Sequence, residues 1–342
     1  MIIKQETFLS ILGLPETSFA VPVFQRVYSW ETRHCQELWD DIMAAGERGT
    51  GHFAGMLLFS PDQEASGETG QLNVIDGQQR LTTITLMLTA LRNHLAAHPE
   101  AAGSADAPSA ERIQETYLQV DGADGKTAKL QLSFLDGPTL CSLVEGAPLP
   151  EEHSNRLVEN LQFFESRMQA ADFSPTTLWR GLGLLQVITA LLGAEDNPQL
   201  VFESLNAKGK GLSAADLLRN SLLYTVEKEE QERLYSSYWH PMEADLVAAD
   251  VPDGMEKLLR AWLANRYRDS YVKNESDVFA VLKKHLSGKH RGSHERLLRE
   301  IALYEKRYAS DPDFRKKADK NAKDWLDGKS DGLVSKRKIF GD

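Results

Sequence analysis

The sequence predicts an α+β fold dominated by helix, and three observations carry that expectation. Short apolar segments bounded by turn residues recur in the first hundred positions. One long helical run, Leu81–Leu95, has no internal breaker. Nearly everything after residue 225 has amphipathic helical periodicity. The chain has 342 residues, 42% apolar and 26% charged, which gives length for about two domains and a sizeable core. That composition excludes a disordered chain, a collagen-like repeat and a disulfide scaffold.

Taken in order, Phe19–Phe24 reads as an extended entry, because Pro22 biases its predecessor away from helix. Thr32–Ala45 reads as a helix with Cys35, Leu38, Trp39, Ile42 and Met43 on one face. Phe53–Phe59 and Leu72–Ile75 read as two strands of a hairpin with a long polar connection from Ser60 to Gly70. In the helix that follows, Leu81, Ile84, Leu88 and Leu91 stand at helical spacing. Residues 96–110 form a Gly/Pro/Ser-containing insert. From 111 to 195 the pattern is mainly helical, with one extended piece at Lys129–Phe134. Leu200–Glu203 is a further strand candidate, followed by a Gly/Lys loop and a helix from Ser213. The expected division is a mixed domain over 1–224, with a helical insertion at about 96–195, and a helical domain over 225–342. No internal repeat is present.

No apolar run approaches the ~18–20 residues that span a bilayer, so no membrane partner is expected. The start, Met1–Glu6, lacks the basic and apolar regions of a signal peptide. Cys35 and Cys141 are the two cysteines and form no CxxC pair, so the expectation is a reduced, cytoplasmic protein. The net charge of −11 is unevenly spread. Residues 281–342 hold 17 Lys and Arg against 10 Asp and Glu, whereas the first 280 hold 22 against 40. An acidic body is a poor general binder of polyanions, so a nucleic-acid contact needs a local groove or the basic end. A solvated helical surface accounts for that end equally simply.

Three constellations carry chemistry. The first is Asp76-Gly77-Gln78-Gln79-Arg80-Leu81-Thr82-Thr83, between a strand and a long helix. Such a junction aims free backbone N–H groups and the positive end of the helix dipole at an anion. Gly77 allows close approach, Arg80 is suited to clamp a phosphate, and Gln78 or Gln79 to orient a water or a phosphoryl oxygen. Asp76 repels a phosphate unless a cation lies between them, so this reading brings in Mg²⁺ or another divalent ion with Asp76 as ligand. Against it, Asp76 and Gln79 have the spacing of a capping box that merely starts a helix.

The second, Val201–Asp216, runs from the strand candidate through Asn206, Lys208, Gly209, Lys210 and Gly211 into a helix with its own capping box, Ser213-x-x-Asp216. Its lysines and glycines suit phosphates, although the P-loop spacing is absent and an exposed turn explains it too. The third, Pro22–Trp30, interleaves Phe24, Tyr28 and Trp30 with Gln25 and Arg26, which suits stacking on a base. The plainer reading makes Phe24 and Trp30 core, Tyr28 half-buried and Arg26 the partner of a carboxylate. His285, His290 and His294 share no helix face and read as solvated. No HExxH, zinc spacing, GxSxG or GxGxxG occurs.

Together, Pro22/Gln25/Arg26/Tyr28/Trp30, Asp76–Thr83 and Phe202/Asn206/Gly209/Leu212/Ser213/Asp216/Leu217/Leu218 resemble the N-terminal domain of GmrSD-type, modification-dependent restriction endonucleases, including the SspE-like phosphorothioate-sensing relatives. The resemblance spans at least residues 8–225; the family often has Pro where Val27 stands here. It implies a small mixed sheet similar to ParB and sulfiredoxin proteins, with helical insertions, and hydrolysis of a nucleoside triphosphate coupled to restriction of modified DNA. The modification implied is a phosphorothioate or a glucosylated base.

By that resemblance Asp76, Gln78, Gln79 and Arg80 are catalytic. Gly77, Thr82, Thr83, Gln25, Arg26, Asn206, Lys208 and Gly209 contact the nucleotide, and Tyr28 and Trp30 sense DNA. No His-rich ββα-metal signature occurs before Asp342, so cleavage is expected from an HNH-type nuclease domain or subunit, with an oligomer as one arrangement. Two other expectations are a nucleotide- or DNA-binding adaptor without turnover and, more remotely, a nuclease acting through the core itself.

Overall fold

A computed structural model describes residues 1–61, 70–99, 108–122, 125–193, 195–196, 198, 201, 213–223, 226–266 and 294–327. The chain divides into two compact units. The first comprises Met1–Pro22 and Arg26–Phe202, and the second Val23–Gln25 and Glu203–Asp342.

In the first unit the strands are β1 (Ile2–Thr7), β2 (Thr17–Ala20), β3 (His52–Pro61), β4 (Gly70–Asp76), β5 (Gln119–Gly122), β6 (Gly125–Ala128), β7 (Leu130–Gln131) and β8 (Leu185–Leu191). The helices are α1 (Phe8–Leu12), α2 (Thr32–Arg48), α3 (Gln78–Ala97), α4 (Ala110–Ile113), α5 (Asp136–Glu145), α6 (Asn155–Met168) and α7 (Pro175–Gly183). Helix α4 continues into a π-helical turn at Gln114–Leu118. Six strands form one mixed sheet in the order β1-β8-β3-β4-β2-β7, and β5 and β6 form a separate hairpin. As expected, β3 and β4 are antiparallel neighbours.

Helix α3 is the spine of this unit, starting at Gln78, three residues before its first periodic leucine. It is buried almost all round, and three of its four threonines are satisfied within the helix. Thr83, Thr85 and Thr89 each donate to the carbonyl four residues earlier, at 2.8–2.9 Å. The core around α3 includes Phe8, Phe19, Leu57, Val74, Leu161 and Phe164.

The structure corrects several expectations. The stretch 111–195 holds the β5–β6 hairpin, and it closes with β8, a strand lying inside the main sheet between β1 and β3. Leu185–Leu191 is seven residues of mainly apolar character broken by Gln186 and Thr189, too short for its periodicity to separate strand from buried helix. Strand β1 was not anticipated either; Ile2 and Ile3 are exposed and give no buried-face alternation. The extended piece at 129–134 shortens to β7, and the entry strand lies earlier, at β2. In the expected strand 200–203, Val201 is helical and the other positions lie outside the described residues.

Every described element of the second unit is helical: α8 (Ala214–Leu223), α9 (Lys228–Leu234), α10 (His240–Ala248), α11 (Gly254–Arg266), α12 (His294–Ser310) and α13 (Pro312–Leu326). A π-helical turn, Tyr235–Trp239, joins α9 to α10. The capping box expected at Ser213 forms, with the Asp216 N–H donating to Ser213 Oγ at 3.1 Å and the Ser213 N–H to Asp216 Oδ2 at 3.3 Å. Arg219 is buried between Asp216 (2.7 Å) and Glu243 (2.9 Å), and its Nε donates to the carbonyl of Phe24 at 3.0 Å. Among the described residues no helix is long and apolar enough to cross a membrane. His294, expected to be solvated, is half-buried, while His285 and His290 lie outside the described residues.

Candidate functional site

The Asp76–Thr83 motif stands where the sequence expects it, at the passage from β4 into α3. Gly77 makes the turn with φ +97°, and a Cβ there would overlap the Leu57 side chain. Only glycine meets both the left-handed backbone and the close packing. Gly77 is also the N-cap, and no side chain caps the helix. The Asp76/Gln79 capping box therefore does not form, and the first-turn N–H groups of α3 receive no side-chain cap.

Both glutamines turn instead to the segment Arg26–Trp30, some fifty residues earlier in the chain. Gln78 Nε2 donates to the carbonyl of Arg26 at 2.6 Å. Gln79 Oε1 accepts the backbone N–H of Ser29 at 2.8 Å and of Trp30 at 3.2 Å, while Nε2 donates to the carbonyl of Val27 at 3.3 Å. Gln79 thus uses both ends of its carboxamide in holding one loop. Gln78 does not: its Oε1 is buried without a hydrogen-bond partner. One turn on, the Thr82 hydroxyl is equally buried and unpartnered, unlike those of Thr83, Thr85 and Thr89.

Arg80 docks on β3. Two residues of β3, Ala54 and Gly55, stand where β8 supplies one, and Gly55 has φ +94°. This bulge frees the Ala54 carbonyl, which accepts from Arg80 Nη1. Arg80 Nη2 lies 3.9 Å from Asp76 Oδ2. Burial pulls the guanidinium below its ordinary value, and the Asp76 carboxylate opposes that shift. Asp76 itself stays partly open, with its side chain 34% exposed.

Tyr28 differs from a stacking surface. It is buried, and its hydroxyl lies 2.8 Å from Thr83 Oγ1, 3.0 Å from Asn160 Nδ2 and 3.6 Å from Cys35 Sγ. Burial holds its phenol well above the ordinary value. Trp30 is half-buried, packed on the core and stacked on His34 with ring centroids 5.9 Å apart. Arg26 is exposed and, among the described residues, pairs with no carboxylate. Phe24 and Gln25 are buried, and both belong to the second unit. Asn206, Lys208 and Gly209 lie outside the described residues.

Two residues without a motif signal complete the arrangement. Asp136 Oδ2, buried in α5, accepts the N–H of Tyr28 at 2.6 Å; burial pushes its carboxyl up, against hydrogen bonds from Ser154 and Tyr28. Asn160 of α6 donates from Nδ2 to the carbonyl of Trp30 at 2.7 Å as well as to Tyr28. Neither spacing nor periodicity links them to the motif, because both lie more than a hundred residues from Tyr28.

Residues 8–223 match the model of the GmrSD restriction endonuclease N-terminal domain. The chain belongs to this family. A search of curated proteins finds no match. Among the described residues no group of three or more His, Cys, Asp or Glu is placed to hold a metal ion. In this GmrSD-family domain, then, the turn offers one partly open carboxylate, one half-buried arginine and an uncapped helix N-terminus. It also offers two buried oxygens, on Gln78 and Thr82, with unused hydrogen-bonding capacity. Arg80, the first-turn N–H groups and the Thr82 hydroxyl are donors there, whereas Asp76 and Gln78 Oε1 only accept.

Proposed function

We propose that the chain is an NTP-hydrolysing sensor and regulatory module of a restriction system that recognises modified DNA, with strand cleavage supplied by an HNH-type nuclease domain or subunit. The observation that carries the reading is the Asp76–Thr83 turn, inside the matched family domain and at an uncapped helix N-terminus, with Gln78 Oε1 and Thr82 Oγ1 buried and unpartnered beside it. Native proteins leave few buried polar atoms unsatisfied, and such atoms concentrate where a site binds a polar ligand. A ParB/sulfiredoxin-like core is part of this reading, and the mixed sheet with a strand-to-helix turn at its ligand site is compatible with it.

In this account the first turn of α3 and Arg80 bind the phosphates and neutralise the charge that builds up on them. Gly77, Thr82, Thr83 and Arg26 line the nucleotide; the family resemblance adds Gln25, Asn206, Lys208 and Gly209 as contacts. Gln78 orients the attacking water through Oε1. Gln79 belongs to the same machinery by holding the Arg26–Trp30 segment. Magnesium accompanying the nucleotide needs only one or two protein carboxylates, since it keeps waters and phosphate oxygens as its other ligands. Asp76 suits that part, and the ion's contribution is charge neutralisation. Trp30, with Tyr28 fixing its loop, is the proposed reporter of modified DNA.

Arg80→Ala should lower turnover about 100-fold or more, the usual loss when one group stabilising transition-state charge is removed. Phosphate release at saturating NTP, with circular dichroism to confirm folding, is the test; turnover equal to wild type removes the assignment. The adaptor reading, nucleotide or DNA gripped without turnover, is favoured by one observation: Gln79 Oε1 already accepts from the N–H groups of Ser29 and Trp30, which leaves it no lone pair to orient a water. Tight nucleotide binding with no phosphate release under any condition would select it.

A further inference from the structure

We propose that Asn160, on α6, is a positioning residue of this site, holding the Trp30 end of the Arg26–Trp30 segment alongside the glutamines. The inference rests on the nucleotide reading above only for its kinetic consequence. Asn160 is 0% exposed, and it directs both donors of its carboxamide away from its own helix: one to the carbonyl of Trp30, the other to the hydroxyl of Tyr28. Its Oδ1 has no partner. A buried carboxamide with half its capacity unused is worse for folding than an aliphatic side chain of similar size. Its place is therefore explained by what the two donated bonds do, and both fix the same loop.

Each residue of that loop has a backbone group held by a side chain. The carbonyls of Arg26 and Val27 are held by Gln78 and Gln79, the N–H of Tyr28 by Asp136, the N–H groups of Ser29 and Trp30 by Gln79, and the carbonyl of Trp30 by Asn160. The side chain of Arg26 is exposed and, among the described residues, makes no ion pair. The exposed Arg26 side chain is thus carried on a segment whose backbone is tied to the first turn of α3 through Gln78 and Gln79. Through Asp136 and Asn160 the α5–α6 part of the insertion thus holds this segment, and Asn160 acts through the carbonyl of Trp30 rather than by touching nucleotide.

The test is Asn160→Leu, which keeps the volume and removes both donors, with Asn160→Ser as a second variant should the first fail to fold. Tyr28→Phe, which leaves the bond to Trp30 intact, is the comparison. Hydrogen exchange is read at the amides of Ser29 and Trp30 and, as reference, inside α3. Turnover is read as kcat and KM separately. The expected result is exchange at Ser29 and Trp30 raised by about tenfold or more with the α3 interior unchanged, and a smaller change in Tyr28→Phe. Turnover should fall roughly tenfold to a hundredfold in kcat with KM shifted less than about threefold, as for a mispositioned group. Unchanged exchange at the two amides, or an equal rise across the whole unit, overturns the proposal. Should the wild type neither bind nor turn over nucleotide, the functional reading fails, and the exchange data alone still decide the role of Asn160.

Discussion

Two adjacent glutamines divide the work of the motif, and neither does what its spacing first suggests. Gln79, expected either to cap the helix or to orient a water, spends its carboxamide on Val27, Ser29 and Trp30. Its truncation leaves buried backbone groups unsatisfied, each worth about 1–3 kcal/mol. Gln79→Ala should therefore lower the denaturation midpoint clearly, whereas Thr82→Val should leave stability within about 0.5 kcal/mol, because the Thr82 hydroxyl has no partner to lose. The same Thr82→Val change should weaken nucleotide binding, measured by calorimetry. The motif's location was legible from the residues, since a Gly between an apolar strand and a periodic helix marks the turn. The division of labour was not, because it depends on a loop some fifty residues upstream and on Asp136 and Asn160, which carry no local signal.

At the scale of elements, the turn is built by two close approaches. Gly77 packs on Leu57, and the Ala54–Gly55 bulge of β3 receives Arg80. Gly77→Ala puts a Cβ on a left-handed backbone against Leu57, and a strain of about 1–3 kcal/mol is expected, read as a lower melting temperature together with weaker nucleotide binding. A variant as stable as wild type would mean that the turn relaxes freely. Helices α2 and α3 and the β3–β4 hairpin were readable because their apolar spacing is strong and their flanks are turn-forming. Strand β8 was not, because its apolar run follows a helical stretch and carries no period of its own. The two capping-box patterns show the same limit. Ser213-x-x-Asp216 caps α8, while Asp76-x-x-Gln79 is overridden by tertiary bonds from Gln79 to a distant loop.

Across the whole molecule, uneven charge and a few buried ionisable groups set the response to pH. Glu305 of α12 is buried, and burial, reinforced by Asp245, raises its carboxyl to about 7. The folded state therefore holds a proton that the unfolded chain releases near its ordinary value, so this group's contribution to stability is lost as pH rises from about 4.5 through 7. Glu305→Gln should be more stable than wild type at pH 8 and little different at pH 4.5, as read from denaturant midpoints at both pH values. Lys129 acts in the opposite sense. Burial lowers it to about 8, so its penalty is present below that value and relieved as pH climbs towards 10.5. The helix-rich character and the basic end were visible in the sequence; the buried Glu305 and Lys129 were not, because a charged residue on an amphipathic helix or short strand is expected to face water.

The central claim is that the Asp76–Arg80 turn hydrolyses a nucleoside triphosphate. Its most direct test is phosphate release from ATP, GTP, CTP and UTP with Mg²⁺, for wild type and Asp76→Ala, with and without modified DNA. The account predicts turnover of at least one nucleotide by the wild type, responsive to modified DNA and lost in Asp76→Ala. Equal release by the two proteins, or nucleotide bound by the wild type and never hydrolysed, would contradict it.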